Sequence, residues 1–102
     1  MGAGYVGILS AELHFPENGS LKGKRKELLS VKAQLQRRFG AAVSETEHHD
    51  LWQRATITAA LVGRTASVVD DAGAKLTRYV ESQFPDGVAI ERALVSGEEI
   101  LS

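Results

Sequence analysis

Seven of this chain's twelve basic residues fall between Ser20 and Phe39: Lys22, Lys24, Arg25, Lys26, Lys32, Arg37 and Arg38. The chemistry such a run offers is electrostatic, because several cations on one surface hold phosphates without reading a base. Up to Gly40 there are seven basic and three acidic residues, a balance of +4, and beyond it five basic and ten acidic, a balance of −5. The net charge of −1 therefore hides a polarised molecule. Such polarisation points to a partner that carries phosphates or an acidic surface.

A second group of chemically capable residues lies close behind: Glu45, His48, His49, Asp50, Trp52 and Arg54. Carboxylates and imidazoles act as general acids and bases where they line a pocket, so Glu45, His49 and Asp50 are the candidates for catalysis. As metal ligands, His48 and His49 are poorly placed. Neighbouring residues of an extended chain point to opposite sides, and a site would have to recruit Glu45 or Glu47 as well. Trp52 reads as an anchor that packs its connection onto the core, with an exposed contact group as the alternative. Gly2-Ala3-Gly4-Tyr5-Val6-Gly7 matches the dinucleotide-binding G-x-G-x-x-G pattern. That chemistry needs a strand before the glycines and a helix after them; here a strand follows, so the match is rejected. Gly7 reads instead as a point of close helix–sheet packing. The chain has no cysteine, which excludes disulfides, thiol catalysis and thiolate metal sites. It also carries no P-loop or nucleophile elbow. No catalytic residue, metal or cofactor is assigned.

The elements that must position these residues follow from periodicity. Tyr5 to Phe15 alternates, with Tyr5, Gly7, Leu9, Ala11, Leu13 and Phe15 on a core-facing side and Val6, Ile8, Ser10, Glu12 and His14 on the other. Pro16-Glu17-Asn18-Gly19 ends that strand with turn residues. Ser20 then suits a helix N-cap and Gly40 a left-handed C-cap. At about 100° per residue, Leu21, Leu28, Val31, Leu35 and Phe39 fall in one arc, with Lys22, Lys26 and Arg37 opposite and Arg25 and Lys32 at the flank. Lys24 falls inside the apolar arc, where only its aliphatic stem is expected to be covered.

Strands are expected at Ala41 to Glu47 and Ala55 to Val62. Of these, Ala41, Val43 and Glu45 share one face, and Ile57, Ala59 and Leu61 alternate with Thr56, Thr58, Ala60 and Val62. A second helix is expected with a capping box at Ser67-Val68-Val69-Asp70 and an apolar stripe of Val69, Ala72, Leu76, Tyr79, Val80 and Phe84. Asp70 and Asp71 would favour its positive start. Pro85-Asp86-Gly87 stops it, and a last strand from Val88 to Val95 precedes a short polar tail. The order β-α-β-β-α-β implies an α+β, ferredoxin-like fold: a four-stranded antiparallel sheet with both helices on one face. The other face, with Val6, Ile8, Ser10, Glu12, His14, Thr56, Thr58 and Val62, would stand open to water, a second copy, the tail or a partner.

At 102 residues the chain is long enough for one domain, and 43% hydrophobic with 25% charged residues is ordinary for a soluble protein. No stretch approaches the ~20 apolar residues that span a bilayer, and the start lacks the pattern of a signal peptide. A cytoplasmic location is expected.

Several segments carry a family resemblance: GYVGILSAELHFP at the start, Ser20-Leu21-Lys22-Gly23-Lys24-Arg25, Phe39 through Val43 to Glu45, and Asp50-Leu51-Trp52-Gln53-Arg54-Ala55. Together they resemble the YlxP-like bacterial proteins, a family labelled only as a domain of unknown function. Gly23 and Thr46 depart from that pattern, which commonly has an acid and an apolar residue there. The resemblance implies a ferredoxin-like fold and no established activity. It also implies an RNA-linked role, because such proteins are often encoded near translation and ribosome-maturation factors. The expected function is therefore a small accessory factor that contacts RNA or the ribosome. Lys22, Lys26 and Arg37 would meet phosphates, with Lys24, Arg25, Lys32 and Arg38 nearby and no DNA specificity. The alternatives are a protein-interaction module, dimeric through the open sheet, and a small enzyme at a dimer seam.

Overall fold

A computed structural model of the chain describes residues 2–15, 19–85 and 87–102. The expected turn at Pro16 to Asn18 and the expected stop at Asp86 lie outside those residues. The elements are β1 (Tyr5–His14), α1 (Leu21–Phe39), β2 (Ala42–Glu47), β3 (Arg54–Gly63), α2 (Ala66–Gln83), β4 (Val88–Ser96) and a short α3 (Gly97–Leu101). The four strands pair in the order β2-β3-β1-β4, all antiparallel. This is the ferredoxin-like arrangement, with α3 added at the end.

The alternation in β1 decides which side of the sheet is covered. Leu9, Ala11, Leu13 and Phe15 are buried; on β3, Ala59, Ile57 and Ala55 stand opposite the first three and Leu61 opposite Gly7, and all four are buried. From α1 come Leu28 and Leu35, from α2 Val69, Leu76 and Val80, and together these residues form one core between the helices and the sheet. Aromatic contacts close its ends. Phe15 meets Phe84 edge to face at 5.4 Å, and Phe39 meets Tyr79 at 6.0 Å, joining α1 to α2. Gly7 marks a close approach of α2 to the sheet, as Gly63 does on β3. A Cβ at Gly7 would lie 2.8 Å from Val69 Cγ1, so the reading of Gly7 as a packing glycine holds.

The ends of α1 are built as the sequence implies. Ser20 Oγ accepts the Gly23 N–H at 3.1 Å, and Gly40, at φ 64°, donates its N–H to the Gln36 carbonyl at 3.0 Å. The start of α2 differs from expectation. Its N-cap is Thr65, whose Oγ1 accepts the Val68 N–H at 3.2 Å, so Ser67 sits inside the first turn and no capping box forms. Asp70 and Asp71 consequently fall beyond that first turn, where the helix dipole acts most strongly. The tail is also not simply polar. Ser96 caps α3 by accepting the Glu99 N–H at 3.1 Å, and Ile100 and Leu101 lie exposed on it.

The open face carries a gradient set by the register. Val62, Val6 and Val95 lie in line at one end, followed by Ala60, Ile8 and Ala93, then Thr58, Ser10 and Glu91, then Thr56, Glu12 and Ala89. At the far end His14 faces Arg54. A register shift between Glu45 and Glu47 adds a residue to β2, and Thr46 Oγ1 there lies 3.0 Å from Thr58 Oγ1. Among the described residues no helix is long and apolar enough to cross a membrane.

Replacing Gly7 by Ala should destabilise the protein by about 1–3 kcal/mol, because the new methyl forces Val69 off its place. The same change in a Val69→Ala background should cost much less. Urea unfolding of the four proteins that make up this cycle tests the contact.

Candidate functional site

Seventeen residues separate the start of α1 from its last cations, and the helix turns those cations to different surroundings. Lys22, Arg25, Lys26 and Arg37 are exposed and Lys32 is half-buried. Lys22, Lys26 and Arg37 lie within about 60° of one another around the axis, and Lys22 and Arg37 stand about 22 Å apart along it. Leu29, 65% exposed, sits between them on the same face. Among the described residues, none of these five cations takes part in an ion pair; ion pairs there involve other groups, such as Lys24 with Glu45, Arg54 with Glu12 and Arg92 with Asp70. Arg38 is exposed but engaged, with its guanidinium 4.6 Å above the Tyr79 ring and its Nε donating to Gln34 Oε1 at 3.0 Å.

Helix stability does not account for this placement. α1 has no acid in its first turn, where Lys22 stands against the positive end of its dipole, and Arg25 and Lys26 follow just beyond it. Cations there oppose the dipole and repel each other.

Lys24 corrects the sequence reading. Its side chain is fully buried, ammonium included, so it is not presented to a phosphate at the surface. Nζ donates to the carbonyls of His48 at 2.7 Å, Arg54 at 3.1 Å and His49 at 3.3 Å. An ammonium has three N–H bonds, and these carbonyls take all three. Glu45 Oε2, 3.1 Å away, therefore meets the charge of Lys24 rather than accepting a directed hydrogen bond. The cation is neutralised and solvated by the protein, which is the condition for burying it.

Those contacts hold the connection between β2 and β3. His48 sits at φ 66°, unusual for a residue with a side chain, and its carbonyl also accepts the Leu51 N–H at 3.1 Å. On the other side Phe15 N–H donates to the Gln53 carbonyl at 2.8 Å. The connection is thus bonded to both α1 and the end of β1. Its side chains face a small charged cluster: Arg54 pairs with Glu12 at 2.9 Å, and His48 Nε2 lies 3.6 Å from Glu12 and 3.8 Å from Glu47.

Trp52 is not the core anchor expected from its type. It is 48% exposed, and Leu51 beside it is 43% exposed. With His14, Gln53 and Arg54 they line a shallow concavity of about 320 Å³. His14, Glu12 and Gln53 were not singled out as site residues. The signal for the first two was register: His14 stands opposite Arg54, and Glu12 opposite Thr56, on the open face.

Glu45, His49 and Asp50 do not converge. The Glu45 carboxylate meets Lys24, the His49 ring contacts the Glu45 backbone carbonyl at 3.0 Å, and Asp50 is exposed. General acid–base chemistry by these three has no pocket in which to occur. Among the described residues, no group of three or more His, Asp or Glu side chains is placed to hold a metal ion.

Comparison with known proteins agrees with the fold and leaves the chemistry open. The model of a family described as "Protein of unknown function (DUF503)" matches residues 6–92, which bears out the resemblance to a family without an assigned role. No curated protein matches the chain. A solved structure, that of the de novo designed protein Foldit4, is similar with a TM-score of 0.58 at 6% identity, covering 90% of this chain and 96% of that one. Likeness at that identity concerns the fold alone.

Replacing Lys24 by Met should cost about 3–5 kcal/mol, since Glu45 and three buried carbonyls lose their partner. Glu45→Gln should cost less, because the three carbonyls still solvate the ammonium. Urea unfolding measures both, and hydrogen exchange should show the amides of residues 48–54 opening selectively in the Met variant.

Proposed function

The chain belongs to the DUF503 family of proteins of unknown function, and from its surface we propose that it is a small accessory factor that binds RNA, free or within the ribosome, through the exposed face of α1. The observation that carries this reading is the set of five cations, Lys22, Arg25, Lys26, Lys32 and Arg37, without ion-pair partners among the described residues. Acids three or four residues away on a helix would pair with such cations. On α1 the only acid is Glu27. Phosphates would supply the missing counter-charge, and helical spacing spreads the cations along a strand without base specificity. Lys24 is excluded from the contact set by its burial, and Arg38 is partly committed to Tyr79.

A second reading keeps the open sheet as an interface between two copies. It is favoured by the apolar and small residues at one end of that face, where Val62 is 77% and Ile8 40% exposed beside Ala60 and Ala93. Sedimentation across a wide concentration range tests it, and a monomer throughout ends it.

For the RNA reading, affinity for structured RNA and ribosomal subunits is measured over a salt series. Binding should weaken steeply with salt. Replacing Lys22, Lys26 and Arg37 together by Gln should reduce affinity and flatten the log–log slope by about 2–3, three phosphate contacts at about 0.7–0.9 each. Unchanged binding in that variant, or no binding at low salt, removes the proposal.

A further inference from the structure

We propose that Trp52 is a stacking platform for an unpaired nucleobase, on the same RNA strand whose phosphates the first turns of α1 hold; this rests on the RNA reading and extends it. Three observations lead there.

The ring is exposed on a fixed backbone. A half-exposed Trp beside a half-exposed Leu is costly to leave in water, and an exposed loop would normally yield and bury it. This loop is tied down at several points. Its carbonyls at 48, 49 and 54 are held by the Lys24 ammonium, and that at 53 by the Phe15 amide. The backbone that carries the indole thus has little ordering entropy left to lose on binding.

The concavity beside it has the chemistry of a base site. Its volume, about 320 Å³, lies at the small end of the range for ligand pockets, suiting one planar ring system rather than an extended ligand. The indole and Leu51 supply apolar surface, Gln53 carries both a donor and an acceptor, and His14 and Arg54 border it. Arg54 is already paired with Glu12, and Glu47 and Asp50 lie in the same part of the chain. This surroundings favours a neutral ring over an anion, so the phosphates belong on α1 and the base at Trp52.

The two parts are physically joined. Lys24 sits in the first turn of α1, next to Arg25, and its Nζ reaches the loop that carries Trp52. The first turn of α1 is therefore tied to the loop that carries Trp52, with Arg25 next to Lys24 in sequence and Lys22 and Lys26 on the solvent side of the same turns. A cationic track with an aromatic side chain on which a base stacks is the general solution for single strands, and it tolerates any sequence because every base has a π-face.

Trp52 is the chain's only tryptophan, so its emission reports this site directly. The intact protein is titrated with labelled oligoadenylate and with a blunt RNA duplex, following label anisotropy and tryptophan emission together. Oligoadenylate should quench Trp52 saturably, in step with the anisotropy, and the duplex should bind with little quenching. Trp52→Ala should lower the ratio of single-strand to duplex affinity about tenfold, while Trp52→Phe retains most of it. An anisotropy rise without quenching, or an unchanged ratio in the Ala variant, overturns the platform and leaves the α1 reading standing. Absence of binding by either RNA at low salt overturns both.

Discussion

The Lys24 ammonium, fully buried and bonded to three backbone carbonyls with Glu45 beside it, is the constraint on which the arrangement of this surface depends. A cation in a protein interior is tolerated only when its hydrogen bonds and its charge are both answered. Here both answers come from the β2–β3 connection, so burying the lysine and ordering the loop are one event. The consequence reaches outward. His48 is held at a positive φ, Arg54 is held where it pairs with Glu12 across the β1–β3 register, and Trp52 is held half-exposed.

The same lysine divides the charges of α1 into two kinds. Lys24 is structural and Arg38 stacks on Tyr79, whereas Lys22, Arg25, Lys26, Lys32 and Arg37 have no charge partner among the described residues. One of those five, Lys22, lies in the first turn, against the helix dipole. The carboxylates that might have balanced them are instead used on the open face, as with Glu12, or in the interior, as with Glu45. This division turns a nearly neutral chain into a polarised surface. The proposed RNA contact rests on that surface and not on the fold.

The fold itself is permissive. A designed sequence reaches the same β-α-β-β-α-β arrangement at 6% identity, which shows how little of the architecture is tied to particular surface residues. In this chain it is built from period-two strands, two amphipathic helices and the small residues Gly7 and Gly63 where α2 crosses the sheet. What distinguishes this chain lies at one end of the sheet. There the loop bound to Lys24, the first turns of α1 and the charged end of the open face come together.

Much of this was legible in the sequence, for physical reasons that are local. The two faces of β1 follow from alternation, the span of α1 from its apolar arc and from Ser20 and Gly40, and the packing role of Gly7 from the absence of a side chain. Where local signals competed, the sequence was ambiguous: Thr65 and Ser67 are both good caps, and the position at which β3 ends selects Thr65. Lys24 was visible as an anomaly, a cation within an apolar arc, but its fate was not. A lysine stem can carry its ammonium to water or into a protein, and the carbonyls that receive it lie 24 to 30 residues further along the chain. Trp52 has no periodicity around it, so its type alone argued for burial, and only the pinned loop leaves it at the surface. The sequence by itself determined the elements, their order and the charge asymmetry, because these depend on near neighbours. Which cation is buried, which are free of ion pairs, and which aromatic ring meets solvent were decided by tertiary structure, because each depends on groups brought together from distant parts of the chain.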